Sequence, residues 1–284
     1  MRRAMGLVLA GLLAGAATAQ DDVPPEWSAP TAPFPIAGPI HYVGTKGLAA
    51  YLIATPRGAI LLDATATGNA ALIEANIRAE GFRLDDVKWL ITTHEHWDHV
   101  GALAQIKQDT HALLFAEQVQ VRGLAIGNAL SDNDAHPRPF PPVKVDRALR
   151  DGETIRLGGV ALTPVLTPGH TPGCTSWRMR VTDRGRPLEV IFLCSITVAG
   201  NKLVGNRAYP NIVADFRRSF AELENMPADI VLPGHPDAAD VLGREAKVKA
   251  GQADAFIDPA LLKRMVGEAR VAFDAELAKQ EAKR

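Results

Sequence analysis

The chain has 284 residues, 47 % of them apolar, and a formal net charge of −1. That is ample for one large hydrophobic core, and it gives no electrostatic case for nucleic acid or an anionic membrane as partner. With only two cysteines, the chain is not a disulfide-framework protein.

The N-terminus reads as a leader. Met1-Arg2-Arg3 is basic, Met5–Ala17 is a short apolar run, and Ala17-Thr18-Ala19 is a small-residue cleavage site. This is the pattern of a secretory signal peptide, residues 1–19, cut before Gln20. The run falls short of the about 20 apolar residues that span a bilayer, so no membrane anchor is expected. Losing Arg2 and Arg3 takes the formal charge from −1 to −3. Residues 20–39 are rich in Pro and Ala and hold Trp27 and Phe34; they read as an extended arm packed on the body. A single domain, residues 40–284, follows.

Ile40–Val43, Leu48–Ala54 and Ala59–Leu62 read as short strands, with Pro56-Arg57-Gly58 as a hairpin turn. Asn69–Glu80 has apolar residues at helical spacing, and Gly81 stops it. Asp63, at the end of the third strand, is either a turn carboxylate or one that orients a ligand histidine from behind. Val87–Ile91 reads as a buried strand. It runs into Thr92-Thr93-His94-Glu95-His96-Trp97-Asp98-His99, which packs three imidazoles and two carboxylates into residues 94–99. Alternating histidines in an extended turn point two rings to one side, and imidazole suits zinc. Helix, strand and helix are expected over Ala102–Lys107, Ala112–Phe115 and Ala116–Val121. Ser131–Pro142 reads as a long loop in which His136 is a candidate substrate contact; His41 and His111 read as structural.

The combination of apolar strand, sharp loop and histidine then recurs. Val160–Leu166 precedes Thr167-Pro168-Gly169-His170-Thr171-Pro172-Gly173, and Asp229–Leu232 precedes Pro233-Gly234-His235-Pro236. Strand ends on one sheet edge share a crevice, so these segments can converge. His94, His96 and His170 make a three-imidazole site with an open fourth position; Asp98, His99 and His235 make a second site. Glu95 and Trp97 alternate out of the ligand set, and Glu95 is read as pointing away to support the loop. Between the two loops, Cys174–Val181 and Leu188–Ser195 form a hairpin whose register brings Cys174 and Cys194 nearly opposite. A cross-strand disulfide and two buried free thiols are both open; the thiols are expected, because in-register pairs seldom suit disulfide geometry.

The pattern His-x-His-x-Asp-His, with His170 and His235 downstream, resembles the signature of the metallo-β-lactamase superfamily. In its glyoxalase II-like and lactonase-like members an Asp that bridges two metals stands at the end of the strand Val190–Ser195. This chain has Cys194-Ser195-Ile196-Thr197 there, and the register puts Ser195, not Cys194, at the decisive place; Cys194 as a ligand is the lesser alternative. Gly169–Trp177, Gly205-Asn206-Arg207-Ala208-Tyr209-Pro210 and the helix Ile212–Leu223 resemble subclass B3 of the family.

The resemblance implies an α/β fold, the αββα sandwich of two mixed β-sheets flanked by helices, with Leu242–Ala255 and Pro259–Lys279 as outer helices. It also implies an enzyme that hydrolyses the β-lactam amide with two Zn²⁺ ions and an activated hydroxide, conferring antibiotic resistance; the leader makes it an exported protein, with the periplasm as the default compartment, and a monomer is expected. Asp98 is expected to be both ligand and catalytic residue. Ser195 and Thr197 are expected to bind the substrate carboxylate, and Asn206 and Tyr209 are weaker candidates for loop contacts. A lactonase or other ester or thioester hydrolase on the same centre is the alternative, and an exported zinc-binding protein without turnover is the non-enzymatic one.

Overall fold

The computed structural model describes residues 23–131, 133 and 138–283. The expected leader, residues 1–19, and His136 lie outside these described residues.

Two sheets are present. The first has seven strands in chain order: β1 (Phe34–Ala37), β2 (Ile40–Tyr42), β3 (Tyr51–Thr55), β4 (Gly58–Leu62), β5 (Val87–Ile91), β6 (Leu113–Glu117) and β7 (Arg147–Leu149). β1 to β4 are antiparallel, and β4 to β7 are parallel. The second has the order β12-β11-β10-β9-β8, from β8 (Ile155–Leu157), β9 (Val160–Leu166), β10 (Thr175–Asp183), β11 (Arg186–Leu193) and β12 (Ile230–Pro233). Only the β11–β12 pair is parallel there. The helices are α1 (Ala70–Ala79), α2 (Trp97–Val100), α3 (Leu103–Thr110), α4 (Gln120–Ile126), α5 (Ile212–Glu224), α6 (Val241–Lys249) and α7 (Leu261–Glu281).

Strand periodicity sorts the side chains into layers. Tyr51 and Ile53 of β3 point between the sheets, where they meet Trp177, Val190, Phe192 and Leu232. Leu52 points the other way, joining Leu61, Leu90 and Leu114 beneath Ile73 and Ile77 of α1 and Leu103 and Ile106 of α3. On the far side Ile191 and Val231 pack under Phe216 and Phe220 of α5 and Val266 and Phe273 of α7. The result is helix, sheet, sheet, helix: the expected αββα sandwich.

Several boundaries differ from the sequence reading. The arm is not wholly apart from the body, since Phe34–Ala37 pairs with β2 as β1. Ala116 and Glu117 finish β6 by pairing with Ala148 and Leu149, so the helix expected over Ala116–Val121 starts only at Gln120. β7 and β8 are three residues each, too short to carry a visible alternation. α6 ends at Lys249, not Ala255.

Candidate metal centre

β4, β5, β9, β11 and β12 deliver Asp63, His94, His170, Ser195 and His235 just past their C-terminal ends. β5 is apolar because it is sandwiched between parallel neighbours, so the chain leaving it is held firmly. His94 and His96 follow in extended backbone, and the four-residue α2 then turns Asp98 and His99 inward. Gly234 matters for the last ligand pair: a Cβ there would lie 2.4 Å from the His99 ring, so only glycine lets the His235 segment approach.

The six expected ligands assemble as two groups. One ligand atom from each of His94, His96 and His170 lies within 4.8 Å of the others, and the same holds for Asp98, His99 and His235. His170 Nε2 is 3.0 Å from His96 Nδ1. That is close to the edge of a tetrahedron whose metal–nitrogen arms are about 2.0–2.1 Å. Asp98 Oδ2 is 3.6 Å from His99 Nε2 and 3.3 Å from His235 Nε2. The two groups adjoin, with the His94 and His99 ring centres 4.2 Å apart. His94 Nε2 and Asp98 Oδ1 are buried with no hydrogen-bond partner among the described residues. Buried polar atoms are rarely left so, and the donor set of imidazoles and one carboxylate suits a transition metal such as zinc. The residues present fit the metal.

The electrostatics agree. Burial pushes the His94 imidazole well below its ordinary range, and the neighbouring histidines push it further, so it is the neutral ligand form. Burial works against the Asp98 charge, but His99, His235 and His96 together hold its carboxyl well below the usual range. Burial likewise opposes charge on His99, whereas Asp98 and Asp63 raise its pKa on balance.

A second layer aims these ligands. Asp63 accepts the Thr93 N–H and the Thr93 hydroxyl, both at 2.7 Å, and its Oδ2 lies 3.4 Å from His99 Nδ1. Of its two sequence readings, the carboxylate behind a ligand histidine is the one found. His170 Nδ1 donates to the Thr197 carbonyl at 2.9 Å, which turns Nε2 toward the group. Glu95 does point away: it is buried against α4.

Ser195 and Thr197 stand at the cleft, their hydroxyl oxygens 3.0 Å apart. Asn206 and Tyr209 are buried in their own loop: Asn206 Oδ1 accepts the Tyr209 N–H at 2.7 Å and the Tyr209 hydroxyl donates to Asp215 at 2.8 Å. His41 pairs with Glu80, and His111 ends α3 in left-handed backbone, both structural as expected.

The cysteines correct the sequence reading. Cys174 and Cys194 form a disulfide, with Cα atoms 5.9 Å apart. The free-thiol expectation treated them as an in-register pair. The register Trp177↔Phe192 is that of the expected hairpin, with Cys174 opposite Ser195 and one residue off Cys194, and this diagonal pair just outside the paired strands is close enough to bond. A third group of close ligand atoms, His94 with the two cysteines, is thereby excluded as a thiolate site, because the sulfurs are bonded to each other.

Both groups open on a cleft of about 810 Å³, lined also by Trp27, Ile196, Met265 and Ala269. Trp27 was legible only as part of the arm. Its ring centre lies 5.3 Å from that of His235 and 5.5 Å from that of Trp97, so the arm forms one wall of the site. An aromatic isolated among prolines was the one signal available.

Residues 44–235 match the family model of the metallo-β-lactamase superfamily. Among solved structures, the chain is similar to BJP-1, a subclass B3 metallo-β-lactamase of Bradyrhizobium japonicum. Identity is 41 % and the TM-score 0.87, covering 91 % of this chain and 98 % of that one. It is also similar to native FEZ-1 metallo-β-lactamase from Legionella gormanii, with 38 % identity, a TM-score of 0.85, and 89 % and 98 % of the two chains covered. Among curated sequences it is 32 % identical over 170 residues to a hydroxyacylglutathione hydrolase of Acidiphilium cryptum, covering 58 % of this chain. The chain spans about half the length of that relative, 56 %. With the ligand geometry, the chain-long likeness to BJP-1 and the family-model match in agreement, this chain belongs to the metallo-β-lactamase superfamily and groups there with subclass B3.

Proposed function

We propose that the protein is an exported, monomeric, zinc-dependent β-lactamase of the periplasm that opens the β-lactam amide of penicillins, cephalosporins or carbapenems and so confers resistance. One observation carries the choice of reaction within the superfamily: β11 runs out into Ser195, a hydroxyl facing the cleft, where a metal-bridging carboxylate would suit thioester or lactone hydrolysis. The likeness to subclass B3 enzymes over nearly the whole of their chains supports it.

His94, His96 and His170 would hold one zinc, and Asp98, His99 and His235 the second. When bound, zinc supplies a water nucleophile at neutral pH and an electrophile for the carbonyl oxygen. The surrounding histidines keep Asp98 ionised, and its Oδ1, buried with no hydrogen-bond partner among the described residues, would orient that water. Ser195 Oγ and Thr197 Oγ1 donate to the substrate carboxylate. Thr197 also receives His170 Nδ1–H through its carbonyl, so the carboxylate site and the three-imidazole site share one loop. Trp27 packs beside His235 at the cleft wall.

The test is turnover of a chromogenic cephalosporin by the purified protein, with and without a chelator. Hydrolysis abolished by chelator and restored by zinc is expected. No cephalosporin turnover, with zinc-dependent cleavage of a glutathione thioester or a lactone instead, would move the assignment to the alternative hydrolases. Secretion of the chain with loss of residues 1–19 tests export.

A further inference from the structure

Glu95 is the acid of the metal motif that the proposed reaction leaves unused. Its side chain is fully buried, and its Oε1 has no hydrogen-bond partner among the described residues. Its Cγ fills the space over Gly123 of α4, where a Cβ would come within 2.8 Å of it. Oε2 accepts the Thr171 hydroxyl at 3.2 Å. Burying a carboxyl is costly, and an apolar side chain would fill the same space without that cost. What the carboxyl adds is its hydrogen bond from Thr171, which ends one residue from His170.

The ligand nitrogens of the three-imidazole site come from two segments far apart in sequence. His94 and His96 flank Glu95 directly, and Thr171 adjoins His170. A second bridge runs in parallel: Gln120 Nε2 donates to the Thr93 carbonyl at 3.2 Å, the Gly173 carbonyl at 2.8 Å and the Thr175 hydroxyl at 3.0 Å. α4 therefore braces both segments from behind through Gln120 and through the side chain packed on Gly123.

We infer that Glu95 is a positioning residue for the three-imidazole metal site: with Gln120, it ties the His94–His96 segment to the His170 loop at the spacing a single ion requires. A site whose ligands are held in register before the ion arrives loses less on binding it, and outer partners of metal ligands are worth about 10–100-fold in affinity. The inference rests on that site holding zinc, but not on the β-lactam reaction.

The test measures zinc affinity by competition with a chromophoric chelator, in a His235→Ala background that leaves the three-imidazole site intact and disables the other. Glu95→Ala is expected to weaken zinc by about 10–100-fold. Glu95→Gln, which keeps an oxygen for the Thr171 hydroxyl, is expected to restore it. Thr171→Val should weaken zinc in the same direction, and the double variant with Glu95→Ala should lose less than the two single losses combined. Apo-protein unfolding is followed in parallel, because a filler role would lower apo stability and leave zinc affinity alone. Parent-like zinc affinity in Glu95→Ala, or Glu95→Gln as weak as Glu95→Ala, would overturn the inference. If Glu95→Ala does not fold, Thr171→Val against Thr171→Ser decides: parent-like affinity in Thr171→Val overturns it, and loss rescued by Ser supports it. Zinc binding is read without any substrate, so failure of the β-lactamase assay leaves this result interpretable.

Discussion

Asp63 should be worth more to this protein than its distance from the substrate suggests. It is 1 % exposed, and so is nearly out of water. Asp63→Ala deletes two hydrogen bonds of 2.7 Å from Thr93, one of them from a backbone N–H that nothing else reaches through that side chain. Hydrogen bonds to a charged acceptor contribute about 1.5–3 kcal/mol each. Removing the buried carboxyl returns part of that as relieved desolvation. Alanine also tolerates poorly the left-handed backbone at this position, φ 59°. The expected net loss is about 2–4 kcal/mol in apo-protein stability, within the range of broken buried networks. It is measured by urea unfolding in the presence of chelator. The His99 ring loses its Nδ1 neighbour as well, so zinc at the Asp98–His99–His235 site should weaken by about 10–100-fold. Asp63→Asn keeps an oxygen for the Thr93 N–H and should fall between. An unfolding midpoint and zinc affinity unchanged in Asp63→Ala would refute the role given to this carboxylate.

Other outcomes follow from the same geometry. His235→Ala should lower bound zinc from two ions per chain to one, read by metal analysis after gel filtration, and should reduce turnover sharply. Ser195→Ala should raise the KM for β-lactams about tenfold, as expected for losing one hydrogen-bonded contact to a charged group, with a smaller change in kcat. Cys174→Ser with Cys194→Ser opens a loop with a sequence separation of 20 and should cost about 3 kcal/mol in denaturant unfolding.

The two clusters of candidate ligands were legible because each histidine stands beside its own local marker. His94, His96, Asp98 and His99 crowd one strand end, and His170 and His235 each sit between glycine and proline after an apolar run. Their partners were harder to read. Glu95 shows as an acid out of phase with the ligands, but Thr171 and Gly123, which give it a place, lie in other segments. Trp27 is held beside His235 because its carbonyl accepts from the Thr45 hydroxyl and the Asn69 amide, contacts with residues in other segments. The hairpin spacing already placed Cys174 one residue off Cys194; what it did not carry was whether the two side chains turn toward each other. β7 and β8 exist through pairing with β6 and β9, not through any pattern of their own.

The most direct measurement is anomalous diffraction at the zinc edge from crystals of the zinc-loaded protein. Two peaks are expected in the cleft, one among His94, His96 and His170 and one among Asp98, His99 and His235. A zinc peak coordinated by other residues, or none at either group, would contradict this expectation.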